Sequence, residues 1–255
     1  MKRLIAIALF AICLLQAPYA RAYSVAFGDD VNYWSGYGNR NRDVVNGWWV
    51  PQNNRDVIGT PDITGGNFIF DGHTLSGIQL NYSSTSRSLV PGDWFFDTNQ
   101  DGAWDYVLHH TLRVFGDGSI SREEFGYGLF ALDDLSYENG NRVGYQESFW
   151  PRGAEGRHDH PVRAWVDLDD VLSDVGYDGW DYWIAENSLG ETNWSDINLD
   201  FSGIRAFTYG FAMTCGNDVL FGEALVPAPE PSTFLLLGFG GLGLLLYGRR
   251  RKRFF

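Results

Sequence analysis

The sequence predicts an all-β protein: a single β-sandwich domain, jelly-roll-like, between two short apolar terminal segments. Short runs rich in aromatic and β-branched residues recur along the centre of the chain, which is typical of strands. Clusters of Gly, Asn, Asp and Pro separate these runs, as turns require. No central window has a long apolar period of 3.6 residues bounded by helix caps. The central stretch of about 200 residues is long enough for one domain with a sizeable core.

Five runs carry the strand prediction, and each combines apolar or aromatic residues with turn residues on either side. In chain order they are "GNFIF", "LSGIQLNY", "DYVLHHTLRVF", "RAWVDL" and "AFTYGFAM". The segment "LDDVLSDVGY" predicts one helical turn.

The first 22 residues have the three regions of a secretory signal peptide. Lys2 and Arg3 precede an apolar run from Leu4 to Leu15, and Ala20-Arg21-Ala22 provides small residues for cleavage. The apolar run is shorter than the roughly 20 residues of a spanning helix. We therefore expect signal peptidase to cut near residue 22 and the exported domain to cover residues 23–226.

The predicted exported domain is strongly acidic. Between Tyr23 and Ala228 lie 31 of the 32 acidic residues but only 11 of the 19 basic ones, all arginine, which gives a net charge of −20. Such a surface repels nucleic acid and anionic lipid, so neither is an expected partner. It favours solubility and the gathering of divalent cations.

The stretch "FDTNQDGAWD" has the spacing of a calcium loop. Side chains with oxygen atoms stand at positions 1, 3, 5 and 9 of the loop, which are Asp97, Asn99, Asp101 and Asp105. Gly102 stands at position 6. Such oxygens converge on one point, and glycine allows the sharp turn. Position 12 is Leu108 instead of a bidentate glutamate, so we expect weak affinity, roughly 10⁻⁴ to 10⁻³ M. The alternative is an Asx-rich hairpin turn without a metal.

Two histidines in "GRHDHPV", His158 and His160, would share one side of a strand and could hold a transition metal. Two ligands are too few for such a site. We therefore favour surface loop histidines.

The chain holds 10 Trp and 13 Tyr, and exposed aromatic rings are surfaces on which sugars stack. In "GWDYWIAE", Trp180 and Trp183 fall on opposite faces of a strand, which predicts at least one exposed tryptophan as a glycan contact. The alternative is that the aromatic side chains form the core.

Catalytic motifs are absent from the sequence. It has no G-x-S-x-G elbow, no H-E-x-x-H, no P-loop and no dinucleotide fingerprint. A chain this acidic always offers carboxylate pairs, so such pairs do not indicate a glycosidase. We expect no enzyme activity.

The C-terminal segment, residues 227–255, has three parts. A short motif opens it: Pro229, Glu230, Pro231 and Ser232. A run of 17 uncharged residues, 232–248, follows and as a single helix would span roughly 26 Å, just short of a bilayer core. A basic stop then comes, which belongs on the cytoplasmic side: Arg249, Arg250, Arg251, Lys252 and Arg253.

This tripartite tail resembles the PEP-CTERM sorting signal of exported proteins of Gram-negative bacteria, a segment also labelled an ice-binding protein C-terminal domain. The resemblance implies recognition by an exosortase, cleavage near Pro-Glu-Pro and delivery to the cell surface or an extracellular matrix, often with exopolysaccharide and biofilm systems. "PGDWFFDTNQDGAWDYVL" and "CGNDV" resemble segments of other proteins with this tail. The ice-binding label implies no activity here, because it attaches to the tail.

Together these features predict a non-enzymatic exported surface or matrix protein, first anchored in the membrane by its C-terminal helix and then released to the cell surface or exterior. Calcium is the one cofactor that the residues suggest. The alternative is a glycan-binding module that engages exopolysaccharide through exposed tryptophans.

Overall fold

The computed structural model describes residues 22–29, 31, 34, 42–45, 48–51, 57, 62–83, 91–110, 126–136, 145–147, 156–157, 160–178, 190–213, 216–227 and 241. Residues 22–227 form one compact unit. Residues 1–21 and 228–255 form another, of which only Gly241 is described.

The described chain is built almost entirely of strands, because the apolar runs are short and turn residues interrupt them. In chain order they are β1 (Ala22–Phe27), β2 (Arg42–Val45), β3 (Trp48–Pro51), β4 (Ile63–Asp71), β5 (Thr74–Tyr82), β6 (Pro91–Asp97), β7 (Ala103–His110), β8 (Tyr127–Ser136), β9 (Tyr145–Glu147), β10 (Gly156–Arg157), β11 (Pro161–Ala164), β12 (Ser173–Asp178), β13 (Gly190–Asp200), β14 (Ala206–Met213) and β15 (Val219–Leu225). One 3₁₀ turn, Leu168–Asp170, lies between β11 and β12.

Ten strands form one antiparallel sheet in the order β1-β4-β5-β13-β12-β8-β7-β6-β14-β15. The pairing of β12 with β8 joins its two five-stranded halves. The edge strands β1 and β15 approach each other, so the sheet is nearly closed. Two small sheets, β10-β2-β3 and β11-β9, accompany it. The predicted all-β class is confirmed.

The core lies between the two halves of the sheet and is strongly aromatic. Phe68 on β4 packs against Trp94 on β6 with 5.9 Å between ring centroids, and Trp194 on β13 packs against the same Trp94 at 5.7 Å. Rings of this size bury large apolar areas, and their edge-to-face pairs add stability. The aromatic-core alternative is therefore confirmed for these residues.

A second apolar cluster covers the other face of β6 and β7. Successive side chains of a strand point to opposite faces, so Trp94 enters the first core while its neighbour Phe95 enters the second. Trp34 is the largest contribution from outside the sheet, with a ring centroid 5.6 Å from that of Trp104. Strand β6 is buried on both faces as a result.

The predicted strand "RAWVDL" is shorter in the structure than in the prediction. Strand β11 ends at Ala164, and the chain then enters the Leu168–Asp170 turn that the sequence predicts. Asp167 begins this turn by accepting a hydrogen bond from the backbone amide of Asp169, the usual role of an N-cap aspartate. Trp165 thereby leaves the sheet.

The signal peptide up to residue 21 and the segment from residue 228 onward, Gly241 excepted, lie outside the described residues. No described residue belongs to a helix with the length and apolar character needed to cross a membrane.

Candidate functional site

Residues 97–105, which contain the turn between β6 and β7 and are here called the loop, are held by their own side chains. The two carboxylate oxygens of Asp97 accept the backbone amides of Gln100 at 2.6 Å and Gly102 at 3.1 Å. Asp105 Oδ2 accepts both the amide and the hydroxyl of Thr98, at 2.7 and 2.6 Å. These bonds make the loop a tight hairpin turn.

Two residues of this loop adopt positive φ angles, as a tight turn of this kind requires. Gln100 has φ 58° and Gly102 has φ 88°, a region that glycine enters without steric cost. Asn99 and Asp101 are exposed, and their side-chain oxygens accept the amides of Asp101 and Ala103, at 2.8 and 3.0 Å. The Asx-turn alternative accounts for these bonds, and calcium binding at the loop stays a prediction.

A different acidic group converges in the described part of the chain. Single carboxylate oxygens of Asp29, Asp62 and Asp218 all lie within 4.8 Å of one another. Asp218 also accepts the amide of Ile63 at 2.6 Å and that of Val219 at 2.9 Å, which links the start of β4 to the start of β15. Carboxylates are the ligands of hard cations, but calcium requires about six to eight oxygens.

A buried polar network joins β6, β7 and β11. Asp93, fully buried on β6, accepts hydrogen bonds from the ring of His109 at 2.7 Å, from the amide of His110 at 2.8 Å and from the amide of Ala164 at 2.8 Å. Arg163 donates to the carbonyl of His110. Because a buried carboxylate is costly without partners, this network fixes β11 against the sheet.

Three of the described histidines, His109, His110 and His160, are buried. His160 is buried, and its Nε2 accepts the backbone amide of Trp34 at 3.4 Å. The expectation that it is a surface loop residue is therefore wrong, because Trp34 covers it from a distant part of the chain. His158 lies outside the described residues. Burial lowers the pKa of His110 well below its usual range, and the positive charge of Arg163 and the neighbouring His109 lower it further.

Trp180 and Trp183, the two predicted glycan contacts, lie outside the described residues. The described domain exposes another tryptophan, Trp165, whose side chain is 69% exposed. Trp165 lines a cleft of about 240 Å³, here called the Trp165 cleft. Its other walls include Phe130, Leu132, Val166, Asp167 and Asp170.

The Trp165 cleft places an exposed indole beside two carboxylates, with the partly buried side chains of Leu132 and Val166 in the same lining. Sequence reasoning missed it because "RAWVDL" has the alternation of a strand. The signal that indicates it is the group of three aspartates shortly after Trp165 in "WVDLDDVL", because Asp caps short turns and such a turn ends the strand.

The sorting motif, Pro229, Glu230, Pro231 and Ser232, and the basic stop, Arg249 to Arg253, also lie outside the described residues. Their assignment depends on comparison with known proteins. Residues 227–252 match the family model of the PEP-CTERM protein-sorting motif. This match confirms the resemblance and supports an exported protein that an exosortase sorts. No curated protein and no solved structure matches the chain.

Proposed function

We propose that the chain is a non-enzymatic protein of the cell surface or extracellular matrix, associated with exopolysaccharide. The observation that carries the proposal is the PEP-CTERM match over residues 227–252. The predicted signal peptide at the other end agrees with it, because both segments direct export. The net charge of −20 between Tyr23 and Ala228 favours a soluble domain that stays clear of anionic surfaces.

In this proposal the tail acts in three steps. The apolar run of 17 residues, 232–248, holds the exported chain in the membrane, and the basic residues 249–253 keep the end on the cytoplasmic side. Pro229 and Pro231 keep the chain around Glu230 extended, so that it is open to a protease. Exosortase then cuts near this motif, and the domain passes to the cell surface or exterior.

The absence of enzyme activity is part of the proposal. The Asp93 and His109 pair has the composition of a general-base pair, but Asp93 accepts three hydrogen bonds inside the core, two from β7 and one from Ala164 on β11. Such a carboxylate stabilises the packing of strands. The buried position of Asp93 between the strands therefore supports a non-catalytic role for the pair.

We further propose that calcium binds weakly to the loop of Asp97, Asn99, Asp101 and Asp105. The exposure of Asn99 and Asp101 supports this, because an ion can reach their oxygens. A carboxylate has about four lone-pair sites, so an oxygen that accepts an amide can also ligate an ion. Calcium would stiffen a loop that already has its turn geometry.

A second candidate function is a glycan-binding module. Trp180 and Trp183 are the sequence-based contacts for it, and the exposed Trp165 favours it from the described part of the domain. In this alternative the domain holds the cell's own polysaccharide directly.

The proposal is tested by changing Pro229, Glu230 and Pro231 together to alanine in the producing cells. We expect the variant to stay in the membrane fraction with its tail intact, whereas the wild-type domain reaches the surface or medium. Glu223→Ala, an exposed change on β15, is the matched control and should be sorted normally. Normal release of the triple variant would refute exosortase sorting through this motif.

A further inference from the structure

The exposed apolar side chains of the described domain concentrate in one segment. Of the five large hydrophobic residues that are exposed there, four lie in residues 165–172: Trp165, Leu168, Val171 and Leu172. Four other tryptophans of the described domain are at most 1% exposed: Trp34, Trp94, Trp104 and Trp194. Because an indole gains much from burial, a 69% exposed Trp165 beside a cleft marks an interaction site.

The Trp165 cleft is held rigidly. The amide of Ala164, directly before Trp165, donates to Asp93 at 2.8 Å. Val166, directly after it, packs against the second core. On the far side of the turn, the amide of Leu172 donates to the carbonyl of Leu129 at 2.8 Å. A site held on both sides loses little conformational entropy when a ligand binds.

Two aspartates supply acceptors in the cleft. Asp167 Oδ1 accepts the amide of Asp169 at 3.1 Å, which fixes the position of its carboxylate. A carboxylate has about four lone-pair sites, so Asp167 can cap the turn and also accept hydrogen bonds from a ligand. Asp170 lines the same cleft and is exposed. The cleft therefore pairs an aromatic face with hydrogen-bond acceptors.

The chemistry of these residues restricts the ligand. Asp167, Asp169 and Asp170, in a domain of net charge −20, repel nucleic acid, anionic polysaccharide and anionic lipid. A cation would use the carboxylates and the Trp165 face but not the partly exposed apolar side chains of Leu132 and Val166. A pyranose ring uses both, since its C–H face packs on apolar and aromatic groups and its hydroxyls donate to carboxylates.

The size of the cleft agrees with this ligand. Its volume of about 240 Å³ is below the roughly 300 to 1,000 Å³ of sites that enclose a drug-sized molecule. It therefore suits one or two rings of a longer chain. We infer that the Trp165 cleft is a binding subsite for a neutral polysaccharide, with Trp165 as the stacking platform and Asp167 and Asp170 as hydroxyl acceptors. This inference rests on the proposed surface function and names its ligand class.

The test uses the exported protein purified from the producing cells and isothermal titration with neutral hexasaccharides of glucose, mannose and galactose. At least one should bind, and 0.5 M NaCl should leave its affinity unchanged, because salt screens charge and not stacking. Trp165→Ala should weaken binding about tenfold or more, since stacking and apolar burial are both lost. Trp165→Phe should restore most of it, and Leu225→Ala, at the exposed leucine on β15, should bind like wild type.

Three results would overturn the inference. One is equal affinity of the Trp165→Ala variant and wild type, which would place the glycan elsewhere. Another is binding of a hexa-arginine peptide that is lost in 0.5 M NaCl, with no neutral sugar bound. The third is no binding of any neutral hexasaccharide by the wild type. Correct C-terminal processing of the same preparation would show that sorting is intact, so failure of the cleft and failure of the proposed function are distinguished.

Discussion

Asp93 on β6 accepts a hydrogen bond from the ring of His109 on β7 at 2.7 Å, entirely within the protein. The same carboxylate accepts the amide of Ala164 at 2.8 Å, so one side chain links the large sheet to the strand that precedes the Trp165 cleft. The stability of the domain and the position of the cleft therefore depend on a common residue.

Replacing Asp93 is expected to destabilise the domain strongly. Asp93→Ala leaves the His109 ring and two buried amides without their acceptor, which should lower the free energy of unfolding by about 3 to 5 kcal/mol. Urea unfolding followed by tryptophan fluorescence measures this. The control Asp169→Asn, on the exposed turn, should unfold at the wild-type urea concentration. An Asp93→Ala protein as stable as that control would contradict the structural role.

The buried His110 is expected to make the domain less stable in mild acid. Its pKa is lowered in the folded state by burial, so the unfolded chain binds a proton that the folded chain does not. At a pH above the ordinary histidine pKa of 6.5, His110 causes no loss of stability. As the pH drops below that value, the free energy of unfolding decreases by up to about 1.4 kcal/mol per pH unit. Urea unfolding at pH 7.5 and 5.5 should show a smaller pH dependence for His110→Gln than for wild type. Equal dependence in both proteins would refute the assignment.

A buried and an exposed tryptophan, Trp34 and Trp165, allow a direct comparison of two alanine substitutions. Trp34, 1% exposed, fills the second core and donates its indole N–H to the carbonyl of Phe211 at 3.2 Å. Trp34→Ala should cost about 3 to 5 kcal/mol of unfolding free energy, because it leaves a cavity. Trp165→Ala should leave the unfolding midpoint close to wild type. Reversal of this order would contradict the described burial of the two rings.

Calcium is expected to raise the melting temperature of the domain. For a dissociation constant of about 1 mM, 10 mM calcium should add about 1.4 kcal/mol. Calorimetry with and without chelator measures the effect, and Asp101→Asn should remove it. Asp62→Asn, in the separate carboxylate group, is the control. If only Asp62→Asn abolished the rise in melting temperature, the ion would lie outside the loop. If calcium did not raise the melting temperature of the wild type, calcium binding would be refuted.

Features formed by neighbouring residues could be predicted from the sequence. The turn of Asp97 to Asp105 and the short turn at Leu168–Asp170 depend on side chains a few residues apart, so local spacing is sufficient for them. The strand "AFTYGFAM" coincides with β14 because its aromatic and apolar residues are buried on both faces.

Features formed across the fold could not be predicted. His160 is buried because Trp34 reaches it from 126 residues away, and no local pattern indicates such a contact. Asp29, Asp62 and Asp218 converge because the end of β1, the start of β4 and the start of β15 come together in the fold although they are far apart in the chain. Trp165 is exposed because a cap ends its strand early, against its alternating sequence pattern.

The most direct test of the central claim, that the tail is a processed sorting signal, is the C-terminal mass of the protein recovered from outside its producing cells. We expect a chain that ends near Pro229 to Ser232, within the residues that match the PEP-CTERM motif. Recovery only from the membrane, with Phe255 intact, would mean a permanent anchor and would contradict it.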